Sequence, residues 1–125
     1  MELLNKMNGS ELKHEYGLDG KRLLPWNGLN APYGGAYCIV RKGTRSLSHI
    51  NEPLGEAELF IGISGVGKVW VGQTSYEVQK GDTLFIPPGT THYVENESAE
   101  DFHFYAIWWD IGSATSYIKT MMNHE

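Results

Sequence analysis

Residues 81–96 of the chain read GDTLFIPPGTTHYVEN, which is a short apolar strand, a tight turn and the start of a second strand. The two glycines suit turns that a side chain would obstruct, and Pro87 stands at a strand end, where its missing N–H does least harm. His92 opens the second strand. Because side chains alternate along a strand, His92 shares one face with Asn96.

The same kind of short β-branched and aromatic run recurs between residues 36 and 111. Turn signals separate these runs at the short intervals typical of β-sandwiches and β-barrels. We therefore expect an all-β fold with a barrel over residues 36–111. The predicted strands are AYCIVRK (36–42), SLSHI (46–50), ELFIGIS (58–64), KVWVG (68–72), TSYEV (74–78), TLFIP (83–87), HYVEN (92–96) and FHFYAIWW (102–109).

The two ends of the chain differ from this strand series. Residues 1–35 are rich in Gly, Asn and Leu, which predicts short helical or extended pieces in an arm that lies on the barrel, anchored by Pro25 and Trp26. Residues 112–125 are expected to form one or two helical turns that act as a lid or packing element. His14 and His124 lie in these terminal segments and are predicted to be solvated.

Composition limits the classes of function. A chain of 125 residues with 41% hydrophobic residues suits one domain with one core. The net charge of −5 comes without a basic run, which argues against a nucleic-acid partner. No apolar stretch approaches the roughly 20 residues that cross a bilayer, and no leader pattern opens the chain. We expect a cytoplasmic protein without membrane contact. The single Cys38 fits a reducing compartment.

The spacing within residues 81–96 resembles the second signature motif of the cupin superfamily. The fixed positions Gly81, Pro87, Gly89, His92 and Asn96 stand at the family's intervals. This resemblance implies a cupin fold, a small jelly-roll-like antiparallel barrel.

The first cupin motif is similar to residues 43–65, GTRSLSHINEPLGEAELFIGISG. His49 fits its first histidine, whereas Asn51 stands where the family has the second. The family's glutamate corresponds to Glu56 by its distance from Asn51, or to Glu58 by its distance from Gly65. We favour Glu58, because an insertion is more easily placed in the turn at residues 52–55 than in the strand ELFIGIS. Glu56 remains an alternative.

A barrel interior would bring the side chains of His49, Asn51, Glu58 and His92 together from separate strands. Two imidazoles and one carboxylate suit zinc with an open coordination position, and they equally suit non-haem Fe(II). We predict one divalent metal ion at this site, zinc in the first place, with iron, manganese or nickel as alternatives. The amide oxygen of Asn51 is the weakest donor of the four.

Further candidates lie in DFHFYAIWWD, where either face of the strand is aromatic. If His103 and Tyr105 point inward, they would join Glu58 as catalytic residues that move protons or position a substrate. If Phe102 and Phe104 point inward, the outer aromatic residues pack beneath the arm. Cys38 is predicted to be a small core residue, because no cationic neighbour is evident to lower the pKa of its thiol.

A narrower resemblance involves GGAYCIVRKGTRSLSH, ELFIGISGVGKVWV and EDFHFYAIWWD. These segments look like zinc cupins of hydrazine biosynthesis, which act with methionyl-tRNA-synthetase-like partners and are implicated in forming a nitrogen–nitrogen bond. That resemblance implies a small-molecule substrate and a separate partner that supplies an activated amino acid. The alternatives are a mononuclear cupin isomerase, lyase or dioxygenase, and a non-catalytic small-ligand-binding module. We also expect a homodimer, with the aromatic strand and the N-terminal arm as candidate interface elements.

Overall fold

The structure of the protein is a computed structural model that describes residues 3–8, 11–24, 28–29, 31–51 and 55–122. Within these residues the chain forms nine β-strands and one α-helix. The strands are β1 (Lys13–Glu15), β2 (Leu18–Arg22), β3 (Gly34–Val40), β4 (Glu56–Ser64), β5 (Gly67–Val71), β6 (Thr74–Val78), β7 (Thr83–Ile86), β8 (His92–Glu95) and β9 (Phe102–Asp110), and the helix is α1 (Ile111–Met122).

The strands form two antiparallel sheets. A six-stranded sheet has the order β1-β2-β3-β9-β4-β7, and a three-stranded sheet has the order β6-β5-β8. Most neighbours in these sheets are not consecutive in sequence, as in a jelly roll. The predicted all-β antiparallel barrel is confirmed, with a helix at its C-terminal end.

The core lies between the inner faces of the two sheets. Phe60, Phe102 and Phe104 come from the larger sheet, and Val69 and Val94 come from the smaller one. Both Phe102 and Phe104 are fully buried, and burying a side chain of this size contributes about 1.5–3 kcal/mol. Of the two aromatic faces of β9, the face with Phe102 and Phe104 therefore points inward.

The N-terminal arm contributes more regular structure than the sequence indicates. Strands β1 and β2 form a hairpin, and β2 pairs with β3 so that the hairpin extends the larger sheet. The helix is also longer than predicted: it begins at Ile111 and spans 12 residues, which is about three turns.

The prediction of a regular strand over SLSHI was wrong. This segment and the preceding Arg45 make only isolated bridges to β8, between Arg45 and Glu95 and between His49 and His92. Regular pairing between SLSHI and β8 is interrupted because the Val94 N–H donates to the side-chain hydroxyl of Ser46. The Leu47 N–H also points away from β8 and donates to the carbonyl oxygen of Tyr16 in the hairpin. The segment still runs along β8, which keeps His49 beside His92.

Several sequence predictions lie outside the described residues: the anchor formed by Pro25 and Trp26, the turn at residues 52–54 and the solvation of His124. His14 has an exposed side chain, as predicted, whose Nδ1 lies 2.7 Å from Asp19 Oδ1. In the part of the chain that the structure describes, no helix has the length and apolarity needed to span a membrane.

Candidate metal centre in the barrel

The barrel interior contains a cavity of about 420 Å³. All four predicted metal ligands line it: His49, Asn51, Glu58 and His92. Their elements explain this convergence. Glu58 faces inward from β4, next to the edge strand of the larger sheet, and the other three come from β8 and from the loop that runs beside it.

Glu58 is a carboxylate held inside the barrel. Its side chain shares an inward-facing row with its cross-strand partners Ile86 and Trp108, and the residue is only 8% exposed. The amide nitrogen of Asn51 donates a hydrogen bond to Glu58 Oε1 at 3.1 Å. Asn51 therefore contacts the predicted carboxylate ligand through its nitrogen. A buried carboxylate needs such a partner, because burial without one is costly.

His92 is the most buried of the four residues, at 1% exposure. Its Nδ1 lies 3.0 Å from the carbonyl oxygen of Thr90, and its Nε2 lies 3.2 Å from Glu58 Oε1. The Nε2 atom is buried and makes no hydrogen bond to the described residues. Burial disfavours the imidazolium, but the Glu58 carboxylate and the Thr90 carbonyl outweigh it and raise the pKa of His92.

His49 lies across from His92, with ring centroids 4.5 Å apart. The two residues exchange backbone hydrogen bonds at 3.2 and 3.0 Å. The Nδ1 of His49 lies 3.2 Å from the carbonyl oxygen of Leu47, which repeats the arrangement of His92 two residues after Thr90. His49 is less buried than His92, so it occupies the more open side of the cavity.

The hydrogen bonding of both imidazoles fits metal ligation. A carbonyl oxygen only accepts, so Nδ1 carries the hydrogen in each ring and Nε2 of the neutral ring keeps its lone pair. Such a contact to a carbonyl commonly orients a metal-binding histidine. Two donors at about 2.0–2.1 Å from one metal stand about 2.8–3.4 Å apart, with octahedral angles at the short end of this range and tetrahedral angles at the long end. The separation of 3.2 Å between His92 Nε2 and Glu58 Oε1 falls in that range.

The pair formed by Glu58 and His92 is therefore suited to a divalent cation, while the third ligand is less complete. Among the residues that the structure describes, no three His, Cys, Asp or Glu side chains stand close enough to hold a metal ion together. His49 would complete the set by turning its ring toward the pair. Its ring already lies against that of His92, with an interplanar angle of 55°.

The two alternative glutamates have different surroundings. Glu56 also lines the cavity, but its cross-strand partner is Asp110. Burial raises the pKa of Glu56, with added contributions from the negative charges of Glu58 and Asp110. Glu58 is the one whose oxygen faces His92, which favours it as the ligand.

His103 and Tyr105 lie on the outer face of β9, because the inner face is occupied by Phe102, Phe104 and Ala106. His103 Nδ1 lies 2.7 Å from the hydroxyl of Tyr37, and the ring of Tyr105 packs edge-on against that of Tyr37. The condition under which His103 and Tyr105 would be catalytic is not met. The prediction that His103 and Tyr105 line the pocket was wrong, because the alternation of side chains along β9 places both residues on its outer face.

Three further cavity residues were not singled out from the sequence: Tyr16 and Arg22 of the hairpin, and Trp108 of β9. The guanidinium of Arg22 lies 5.7 Å from the centre of the Trp108 ring and donates to Glu15 at 3.0 Å. The glycine that follows Tyr16 is the signal for this hairpin, since it marks a turn between two short alternating runs.

Cys38 lies in the core, as predicted, at 7% exposure. Burial raises the pKa of its thiol to about 12. A thiol with this pKa stays protonated near neutral pH, which argues against a role for Cys38 as a nucleophile.

The comparison with known proteins agrees with the fold. Residues 36–108, more than half of the chain, match the family described as "Cupin domain", and the chain belongs to that family.

Two solved structures are similar over nearly the whole chain. The plu4264 protein from Photorhabdus luminescens is 45% identical, with a TM-score of 0.81 and coverage of 98% of this chain and 99% of that one. A cupin 2 conserved barrel domain protein from Salinispora arenicola is 30% identical, with a TM-score of 0.77 and coverage of 96% and 98%.

Among curated proteins, an uncharacterized protein from Methanocaldococcus jannaschii is 36% identical over 61 residues. The match covers 49% of this chain and 47% of that protein, so the chain spans about half the length of this relative.

Proposed function

We propose that the protein is a metal-dependent cupin enzyme that acts on a small polar metabolite in the barrel cavity. The observation that carries this proposal is the buried pair of His92 Nε2 and Glu58 Oε1, 3.2 Å apart at the cavity wall. Two electron-pair donors at this distance repel each other unless a proton or a metal cation lies between them, and a divalent cation would be bound by both atoms at once. His49 is proposed as the third ligand, and Asn51 as the group that orients Glu58.

The cavity suits a small ligand. Its volume of about 420 Å³ falls within the range of small-molecule sites. Phe60 and Trp108 give it apolar walls, while Glu56 and Tyr16 add groups that accept or donate hydrogen bonds to a polar substrate. A divalent cation bound by the ligand set supplies Lewis-acid chemistry. The protein's own part is to hold the ligand set in a buried position and to orient the substrate beside it.

Metal content measured by elemental mass spectrometry, on protein purified without a histidine tag, tests this proposal. We expect near-stoichiometric metal, zinc first and iron, manganese or nickel as alternatives. His49→Ala, Glu58→Gln and His92→Ala should each lose it. Glu56→Gln is the matched control, because Glu56 lines the same cavity from the same strand and should keep the metal. A wild-type protein that folds but holds no metal after incubation with each cation would contradict the proposal.

A narrower reading of the same site is the metal-assisted rearrangement that forms a nitrogen–nitrogen bond, with a methionyl-tRNA-synthetase-like partner supplying the activated amino acid. Its support is the sequence resemblance alone. A mononuclear isomerase, lyase or dioxygenase is the alternative, and oxygen consumption with Fe(II) would identify the oxygenase.

A non-catalytic ligand-binding module is the second candidate function. The observation in its favour is that no complete set of three acidic, histidine or cysteine ligands is assembled among the described residues. A protein that binds small polar metabolites equally well with and without added metal would support the module.

We further propose that the protein is a homodimer paired through one apolar surface, called here the outer groove. Helix α1 and the outer face of β9 enclose an apolar groove of about 330 Å³. All of the residues that line it are uncharged: Pro32, Tyr33, Ile107, Trp109, Ala114, Tyr117 and Ile118. It includes both elements predicted from the sequence, the aromatic strand and the N-terminal arm.

The proposed occupant of the outer groove is a second copy of the chain. A helix of 12 residues is marginally stable alone, and α1 buries none of its residues, so it needs a partner that is always present. The helix also exposes Ile111, Met121 and Met122, which add apolar surface for an interface of the standard size, about 800 Å² per partner. An uncharged surface also pairs with itself about a two-fold axis without opposing like charges.

A further inference from the structure

The turn between β1 and β2 contains an unusual backbone conformation. Tyr16 has a φ of 55°, and it is the one non-glycine residue with positive φ in the described part of the chain. Aromatic residues rarely adopt this left-handed region, whereas asparagine and glycine tolerate it. The surroundings must therefore stabilise Tyr16 in a conformation that its own side chain disfavours.

The loop that carries His49 supplies this stabilisation. The Leu47 N–H donates to the carbonyl oxygen of Tyr16 at 2.7 Å. The next residue, Gly17, lies so close to the loop that an added Cβ would stand 3.0 Å from Leu47 N and 3.1 Å from the Arg45 oxygen. The hairpin turn therefore packs directly against the backbone of residues 45–47.

Leu47 links the turn to His49. Its N–H is bonded to Tyr16, and its carbonyl oxygen lies 3.2 Å from His49 Nδ1. The ring of Tyr16 lies over the same histidine, with centroids 5.2 Å apart and an interplanar angle of 31°. The imidazole of His49 is therefore located by a hydrogen bond through Leu47 and by direct contact with an aromatic ring.

We propose that Tyr16 is a positioning residue for His49, and that the strained turn exists to place its ring there. Asparagine or glycine would form the same turn with less strain, so the turn alone gives no reason for a tyrosine at this position. A ring that packs on an imidazole restricts it to small rotations about the Leu47 contact, so that Nε2 can turn toward Glu58 and His92 while the ring stays at the cavity. This inference rests on the proposed function, because a fixed His49 matters most when the residue binds a metal.

The test compares Tyr16→Phe, which keeps the ring, with Tyr16→Asn, which removes the ring and suits the backbone. Tyr76→Thr is the control for losing an exposed tyrosine outside both the cavity and the outer groove. We expect Tyr16→Asn to keep or raise the melting temperature, to alter the visible absorption spectrum of the cobalt-substituted protein, and to release zinc to a chelator about 10–100-fold faster. Tyr16→Phe and the control should match the wild type.

Nitrogen NMR of the His49 ring in the metal-free protein gives a second readout that needs no metal. The wild-type ring should carry its hydrogen on Nδ1, and Tyr16→Asn should shift it toward a mixture of tautomers. A Tyr16→Asn protein with the wild-type tautomer, spectrum and release rate would overturn the role of Tyr16. Failure of the wild-type protein to bind any metal overturns the proposed function instead, while the tautomer comparison still decides on Tyr16.

Discussion

Asn51 stands where the cupin motif has a histidine. In the structure its amide donates a hydrogen bond to the neighbouring carboxylate. The nitrogen of Asn51 donates to Glu58 Oε1 at 3.1 Å, while Nε2 of His92 approaches the same oxygen. One carboxylate oxygen thus has two neighbours, one that orients it and one that would share a metal with it. Groups that orient a metal ligand typically change affinity less than the ligand itself does.

Replacing Asn51 by alanine should weaken metal binding without abolishing it. We expect Asn51→Ala to reduce zinc affinity by about 10–100-fold, because Glu58 loses the donor that orients it. His92→Ala should reduce it much further, since a ligand is removed. Competition with a chromophoric chelator measures both. Equal losses in the two variants would make Asn51 a direct ligand.

The metal-free protein should lose stability as the pH rises. The folded-state pKa of His92 is raised, with Glu58 and the Thr90 carbonyl outweighing burial. A group with a raised folded pKa contributes stability that is fully present below its unfolded pKa of about 6.5 and is lost as the pH rises through the folded value. The melting temperature measured from pH 6 to pH 9 should therefore fall more in the metal-free wild type than in Glu58→Gln. Equal pH dependence in the two proteins would contradict this.

The residues of the proposed site were predictable to different degrees. Motif spacing placed His49, Glu58 and His92, because fixed intervals between turns leave a strand little freedom of register. The spacing could not choose between Glu58 and Glu56, which share a face; the neighbouring His92 favours Glu58. Tyr16 was not predictable, since its contact with His49 is made across the fold by residues far apart in sequence.

At the scale of elements, β4 shows how backbone geometry positions the site. The strand carries Glu58 on its inner face and changes register against β9 between Gly62 and Ser64. Around this bulge, Gly62 N–H donates to Asp82 and its carbonyl accepts from Gly81, at 2.8 and 2.9 Å. The regular register of β4 against β9 therefore covers the residues from Glu56 to Gly62, which include Glu58.

Gly62→Ala should therefore destabilise the fold. A Cβ at this position would overlap the backbone carbonyl of Gln79, and the backbone cannot retreat as a flexible side chain does. We expect a loss of about 1–3 kcal/mol in the free energy of unfolding, measured by denaturant titration. Gly35→Ala is the matched strand control, because its Cβ would meet its nearest atom at 3.6 Å, an ordinary contact. A Gly62→Ala protein as stable as Gly35→Ala would contradict this account.

The elements themselves were predictable where alternation is long and apolar, as in β4 and β9. The hairpin of β1 and β2 was missed because its strands span only three and five residues and are largely charged, so that pairing with β3 decides their structure. The segment SLSHI has the composition of a strand, but tertiary contacts to Ser46 and Leu47 redirect its hydrogen bonds. Local propensity cannot anticipate either outcome.

At the scale of the whole molecule, the larger sheet has two apolar faces, of which the structure covers one. The inner face packs against the smaller sheet, whereas the outer face leaves Phe85 49% exposed beside Trp109. Helix α1 stands beside this face with Tyr117 and Ile118 more than half exposed. An apolar surface of this extent on a monomer marks an interaction site.

The oligomeric state decides whether the outer groove binds a second copy. Sedimentation equilibrium at micromolar concentration should give a dimer for the wild type and a monomer for Ile118→Glu, since two buried carboxylates at a two-fold interface are costly. Ser116→Glu is the control, because it adds the same charge to the opposite side of the same helix. The monomeric variant should also show reduced helix content by circular dichroism, as α1 would lose its cover. A wild-type monomer with an intact helix would show that α1 folds without a partner and that the exposed surface serves another purpose.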